Sequence, residues 1–383
     1  MRLCSETQRN TSELYITGHV GLALSEWKRP ISCFPALASD SYNYLTPPVI
    51  DYSERYTSED FFDEDLVFVL VIGESMTARR FGIHGICERD TTPLLSRRND
   101  IICLNNMQSY GTSTYPSLTC ILCGEPDTYG TQPKRSSFAA ILKKHGFDNS
   151  LYLENTADFS LSRNMYVGFG SYMNRRVVLK GSMAGVVREI GRQIAAPSRK
   201  QLIIIENGTG HFPFHHGEEF SYYQPCNFQW NDLLSNHEEE VLNDYDNCVR
   251  SVDYMLDSLI RTLEKKNAVL FFVSDHGQFL GENGNWLHGN KSSPLLHHVA
   301  SFIWFSKLYK DRHPEVVGHM ETLRNVRLTH AYFFQSILSL CGIRSSIPDM
   351  PLDFTTMKIT ATDLGSKKEQ DEAVLSYPPA PSA

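Results

Sequence analysis

Two unbroken apolar runs, residues 66–72 and 268–273, each end abruptly in polar, glycine-bearing sequence. Apolar continuity over so short a length predicts strands buried on both faces. Residues 201–205 and 299–305 repeat the pattern, and 150–153 is a shorter instance. Between these runs the spacing changes to that of helices. Val241, Tyr245, Val249, Val252, Leu256, Leu259 and Leu263 recur every three to four positions and predict a long helix over 238–266 with one buried stripe. Glu238, Glu239 and Glu240 open it and Lys265 and Lys266 close it, the polarity a helix dipole favours. Further helices are predicted over 114–122, 137–145 (stopped by Gly146), 182–195 and 328–341 (ended by Gly342). Strands alternating with helices predict an α/β fold, a mostly parallel sheet covered by helices on both faces. Residues 1–60 lack a sustained period and read as an irregular extension. Residues 61–360 read as the main domain, and the polar, proline-ended stretch 361–383 as a disordered tail.

In such sheets, ligands gather outside the carboxyl ends of the strands. At those ends stand the residues with chemistry to offer. The run 66–72 leads into Gly73-Glu74-Ser75, and 268–273 into Ser274-Asp275-His276-Gly277. A carboxylate and an imidazole suit zinc, which accepts oxygen and nitrogen donors. Glu is a poor helix N-cap beside Ser75, which favours a ligand role for Glu74; Asp275-His276 alone reads equally well as a hydrogen-bonded turn. In Gly111-Thr112-Ser113-Thr114, a glycine turn meets a helix start, where unpaired N–H groups favour an anionic hydroxyl and a nearby phosphate. Thr114 is therefore the candidate nucleophile, with helix capping as the alternative for the cluster. His211 follows the strand 201–205, and His288 follows a glycine-rich loop; either could protonate a leaving oxygen or hold a phosphate oxygen. His215, His216, His297 and His298 lack a strand-end setting and receive no role.

Charge narrows the partners. The chain carries 44 acids against 36 bases, net −8, which argues against nucleic acid. No apolar window reaches transmembrane length and the first residues lack a signal-peptide core, so the chain as written is expected to stay in the compartment where it is made. Nine cysteines are irregularly spaced, and Cys120-x-x-Cys123 sits in an apolar segment where buried core thiols are expected. The acceptor patterns at Asn10, Asn207 and Asn290 are discounted as chance three-residue matches.

Taken in order, several blocks resemble the phosphoethanolamine transferases of Gram-negative bacteria, in the alkaline phosphatase/sulfatase superfamily. They are Val71-Ile72-Gly73-Glu74-Ser75 with Arg79, Arg80 and Thr91-Thr92-Pro93; Gly111-Thr112-Ser113-Thr114; Gly208-Thr209-Gly210-His211; Asn243-Asp244-Tyr245-Asp246-Asn247; and Ser274-Asp275-His276-Gly277 with Leu280-Gly281-Glu282-Asn283-Gly284 and Leu287-His288-Gly289. The resemblance covers about residues 65–345. It implies that residues 61–360 are a catalytic domain, a three-layer α/β/α sandwich around a mixed sheet, with Zn2+ held by Glu74, Thr114, Asp275 and His276, Thr114 also the nucleophile, and His211 and His288 lining the phosphate site. It implies phosphatidylethanolamine as donor, lipopolysaccharide (lipid A or core) as acceptor and a phospho-threonine intermediate. It further implies a monomer at the periplasmic face of the inner membrane, whereas this chain shows no membrane segment. The alternatives are a soluble phosphodiesterase or phosphatase of the same superfamily, and an inactive truncated remnant. Four positions depart from the family pattern: Gln278 stands where many members have Glu, Tyr110 where lipid A-directed members often have a cysteine, Cys87 where the family often has an aromatic residue, and Cys226 has no obvious partner nearby.

Overall fold

A computed structural model of the protein describes residues 56–58, 65–124, 137–154, 172–226, 237–289, 293–345 and 352–359. Seven strands make the main sheet: β1 (Leu66–Gly73), β2 (Ile101–Cys103), β3 (Asp148–Glu154), β4 (Arg175–Leu179), β5 (Lys200–Asn207), β6 (Ala268–Ser274) and β7 (Ser301–Phe305). Their spatial order is β2-β7-β6-β1-β5-β3-β4. The pairs along β6-β1-β5-β3-β4 are parallel, while β7 runs antiparallel to both β6 and β2. The expected mixed, mostly parallel sheet is present.

Side-chain alternation along β1 makes the two cores. Phe68, Leu70 and Ile72 point to one face and pack with Leu118, Ile121 and Leu122 of α1 (Thr114–Cys123), Phe138 and Ile141 of α2 (Phe138–Lys144), and Phe333, Phe334 and Ile337 of the later helix Phe333–Leu340. Val67, Val69 and Val71 point to the other face. There they meet Val186 and Ile190 of α3 (Met183–Ile194) and the stripe Val241 to Leu263 of α4 (Glu238–Leu263). Period-2 strands between period-3.6 helices give helix, sheet and helix layers. Both β1 and β6 are buried at every position, as their unbroken apolar runs required.

The differences from expectation are local. Residues 328–341 are not one helix: Leu328–Thr329 pairs in parallel with Met107–Gln108, a 3-10 turn spans His330–Tyr332, and the α-helix begins only at Phe333. Buried His330 spends its ring on two backbone groups, and that fixes the irregular start. The long helix ends at Leu263, three residues before Lys266. Strands β2 and β4 carried no pattern of their own, β4 being half exposed on a sheet edge. Inside the stretch read as irregular, Tyr56–Ser58 pairs antiparallel with Ile343–Ser345. The remainder of 1–55, the tail after 360, and the acceptor patterns at Asn10 and Asn290 lie outside the described residues. Asn207 is buried, and its amide donates to Glu154, which agrees with discounting it as a glycan acceptor. No helix among the described residues is long and apolar enough to cross a membrane.

Candidate metal centre

Parallel pairing of β1 with β5 and β6 sets Gly73 beside both Asn207 and Ser274. Whatever follows those strands therefore meets at one edge. Three hydrogen bonds from backbone N–H groups tie the strand ends together: Glu74 N–H donates to Asn207 O (3.0 Å), Asp275 N–H to Gly73 O (2.9 Å), and Met76 N–H to the side-chain Ser274 Oγ (2.6 Å). Ser75 turns the chain sharply, in the left-handed region at φ 58°. Its N–H reaches Asp275 Oδ1 (2.9 Å) and its Oγ donates to Glu74 Oε1 (2.8 Å). From below, the Tyr245 hydroxyl of α4 donates to Ser75 O (2.7 Å) and accepts from Thr77 N–H (2.9 Å). A non-glycine residue in this region is strained, and strain held by so many bonds is usual at functional sites.

Four predicted residues converge. Thr114, the first residue of α1, places Oγ1 3.0 Å from Glu74 Oε2 and 3.3 Å from His276 Nε2. His276 Nε2 lies 3.3 Å from Glu74 Oε1 and 3.4 Å from Asp275 Oδ2. The His276 Nδ1–H donates to Gly277 O (2.8 Å), which aims Nε2 at the cluster. Asp275 Oδ1 is occupied by the N–H groups of Ser75 and His276, yet its buried Oδ2 has no hydrogen-bond partner. His288 also belongs to the group. Its ring lies 4.1 Å from that of His276, and a ring nitrogen falls within 4.8 Å of donor atoms of Glu74 and His276. His211 enters on the loop after β5, its N–H bonded to Gly208 O (2.9 Å), close enough for its charge to act on Glu74.

The electrostatics are those of a cradle short of positive charge. Burial pushes the Asp275 carboxyl up to about 7, helped by the Glu74 charge. Burial acts the same way on Glu74, but the His276 hydrogen bond and the charges of His276, His211 and His288 hold it well below the usual range. Burial opposes charge on His276, and the two carboxylates nevertheless lift it to about 9. A third acid, Glu206 on β5, is driven well above its ordinary range by burial and by Glu74, Glu154 and Asp275. So many acids in one dry pocket are stable only with a cation or protons among them.

Among the surrounding supports, Arg79, Gln278 and Glu282 fall in or beside the blocks that carry the family resemblance, whereas Glu154 and His330 carried no sequence signal. Gln278 Oε1 accepts from His288 Nδ1 (2.8 Å), fixing that ring, while the buried Gln278 Nε2 has no partner. Arg79 pairs with Glu282 and donates to Gln278 O (2.7 Å), holding the loop between the two histidines. Glu154 Oε2, at the end of β3, accepts from Asn207 Nδ2 (2.7 Å) and Thr209 Oγ1 (3.0 Å) and so fastens the loop that leads to His211. Buried His330 donates from Nε2 to Ser274 O (3.0 Å) and accepts the Tyr110 N–H at Nδ1 (3.3 Å), joining the Thr114 loop to β6. Glu154 and His330 are single polar residues at unremarkable spacings; only the tertiary structure reveals their partners. Cys120 and Cys123 are buried thiols of α1, as their apolar setting implied.

A model of the Sulfatase family matches residues 67–343. Over 307 residues the chain is 26% identical to the Kdo(2)-lipid A phosphoethanolamine 7''-transferase of Salmonella typhimurium, covering 74% of this chain and 52% of that protein. The chain thus spans about half the length of the curated relatives it matches. Among solved structures, the soluble domain of lipooligosaccharide phosphoethanolamine transferase A from Neisseria meningitidis superposes with a TM-score of 0.69 at 23% identity, covering 82% of this chain and 99% of that one. The C-terminal periplasmic domain of EcEptC from Escherichia coli, in complex with Zn, gives 0.67 at 21% identity, covering 82% and 92%.

Proposed function

Since the chain belongs to the sulfatase family, we propose that it is a zinc-dependent phosphoethanolamine transferase domain in which Thr114 accepts the phosphoethanolamine group. The observation that carries this reading is the spacing of the Thr114, Glu74, Asp275 and His276 donor atoms. Thr114 Oγ1 lies 3.0 Å from Glu74 Oε2 and 3.3 Å from His276 Nε2, which in turn lies 3.3 Å from Glu74 Oε1 and 3.4 Å from Asp275 Oδ2. Bonds of about 2.1 Å in a tetrahedron put donor atoms about 3.4 Å apart. The orphaned Asp275 Oδ2 and the His276 ring, held through Nδ1, are what a zinc site requires. Glu74, Thr114, Asp275 and His276 would hold the ion. When bound, zinc lowers the pKa of the Thr114 hydroxyl and offsets charge on the phosphoryl oxygens.

The remaining chemistry belongs to the side chains. Thr114 is the first residue of α1, and a helix N-terminus favours an anionic oxygen and a phosphate. Its proton faces Glu74 Oε2, so it is the group poised to attack phosphorus. The P–O bond to threonine forms as the P–O bond to diacylglycerol breaks. A protonated His211 or His288 supplies the proton that the departing alkoxide needs. In the second half, an acceptor oxygen of lipopolysaccharide attacks the phospho-threonine and the Thr114 oxygen leaves. The donor is phosphatidylethanolamine, presented at a membrane surface, and one copy of the chain suffices for the chemistry. The relatives' names support this choice of reaction and lipid A acceptor.

Release of diacylglycerol from phosphatidylethanolamine vesicles by the zinc-loaded protein tests the reading. Asp275→Asn should retain the fold, weaken zinc binding at least about tenfold and lower release in step. Full release by Asp275→Asn, with zinc absent from the preparation, would contradict it.

A further inference from the structure

A second group of soft and hard donors lies outside this centre. His216, Cys226 and Asp244 place a ring nitrogen, a thiol sulfur and a carboxylate oxygen all within 4.8 Å of one another. They come from separate places: His216 and Cys226 lie on the segment that runs on from His211, and Asp244 lies in the second turn of α4. His216 and Asp244 are buried, and the Cys226 thiol is half exposed and not in a disulfide. His216 Nε2 sits 2.8 Å from Asp244 Oδ1. Its Nδ1–H reaches the carbonyl of the next residue, Gly217, at 2.9 Å.

That last contact repeats the device seen at His276, whose Nδ1–H donates to the carbonyl of the following Gly277. In each His-Gly pair the backbone takes one ring nitrogen and presents the other to an aspartate. A backbone carbonyl on the distal nitrogen is the usual support of a metal-bound imidazole. Cys226 supplies a thiolate, which the first centre lacks.

We infer that His216 Nε2, Asp244 and Cys226 Sγ form a second metal site, selective for a zinc-type ion. Thiolate, imidazole and carboxylate together favour zinc or cobalt(II) and disfavour magnesium and calcium, which take oxygen donors. Three protein donors leave a fourth position for water, and the half-exposed thiol marks the route of entry. On binding, the metal replaces the proton between Nε2 and Oδ1 and the proton of the Cys226 thiol, and both pass to solvent. The ion would fasten the segment beyond His211 to α4. The site stands apart from the transfer chemistry and does not depend on it.

Cobalt(II) tests it, because a thiolate ligand gives a near-ultraviolet charge-transfer band that oxygen and nitrogen ligands do not. The full chain, kept reduced with a phosphine and loaded with cobalt, should show this band. Cys226→Ser should lose it together with about one metal ion per chain. His216→Gln, with its circular dichroism unchanged, should lose it too. Glu74→Gln should keep the band while losing the other ion. Absence of the band from the wild-type protein, its survival in Cys226→Ser, or an unchanged metal count in that variant would each overturn the inference. Failure of the first centre shows separately, as a wild-type metal count in Glu74→Gln with the band still present.

Discussion

At the residue scale, buried imidazoles do two opposite jobs in this molecule. His276 is surrounded by carboxylates and favours positive charge, whereas His84 and His330 are spent on neutral hydrogen bonds. His84 Nδ1 donates to Asn105 Oδ1 (3.1 Å), and its Nε2 accepts the Ser301 N–H (3.3 Å). Protonation would destroy the acceptor, and burial pushes His84 down from 6.5 to about 4. The unfolded chain therefore binds a proton that the folded chain refuses, so stability present above pH 6.5 is lost as the pH falls towards 4. The contribution of this one residue is about 3 kcal/mol. Denaturant midpoints followed between those pH values should fall, and His84→Gln, which keeps a donor and an acceptor, should flatten the fall. An equal slope in wild type and variant would show that His84 has no part in it.

The candidate ligands were legible at this scale because each lies next to a loud signal. Glu74 and Asp275-His276 directly follow the two longest apolar runs, and Thr114 starts a helix after a glycine turn. Glu154 and His330 were illegible for the converse reason. Glu154 meets the Asn207 side-chain amide and the Thr209 hydroxyl, His330 joins two separate loops, and no periodicity records such pairings.

At the element scale, the site depends on how closely one loop approaches another. A Cβ on Gly210 would come within 2.2 Å of the Glu74 carbonyl oxygen and 2.8 Å of Met76 Cε. Backbone cannot yield as a flexible side chain can, so the loop from β5 would have to lift off the strand end. Gly210→Ala should therefore weaken zinc binding and displace His211 while leaving the two cores intact. Competition with a chromogenic chelator measures the first effect, and unchanged far-ultraviolet circular dichroism marks the second. Wild-type zinc affinity in this variant would mean that the loop is not seated as described. The elements themselves were read well where period and length agreed, as in α4, all of whose named stripe positions are buried. They were misread where polar bonding interrupts the pattern, as at 328–332, and missed where strands are short or half exposed, as in β2 and β4.

At the scale of the whole molecule, distant strand ends meet across two hundred positions of sequence, as in the bond from Ser75 N–H to Asp275 Oδ1. A metal that bridges them binds the native chain and not the unfolded one, so it should stabilise the fold as a whole. At a free zinc concentration about a hundredfold above the dissociation constant, the gain is about 2.7 kcal/mol. Chelation should lower the thermal midpoint, and zinc should restore it where magnesium does not. A midpoint indifferent to chelator would remove the metal from the structural account.

The claim on which the proposed transfer reaction rests is that the assembled strand ends make Thr114 a nucleophile. Mass spectrometry of the zinc-loaded protein after exposure to phosphatidylethanolamine tests it most directly. The account predicts a phosphoethanolamine adduct on the peptide that contains Thr114, absent from Thr114→Ala. An unmodified peptide in the wild-type protein, or an adduct that persists in Thr114→Ala, would contradict it.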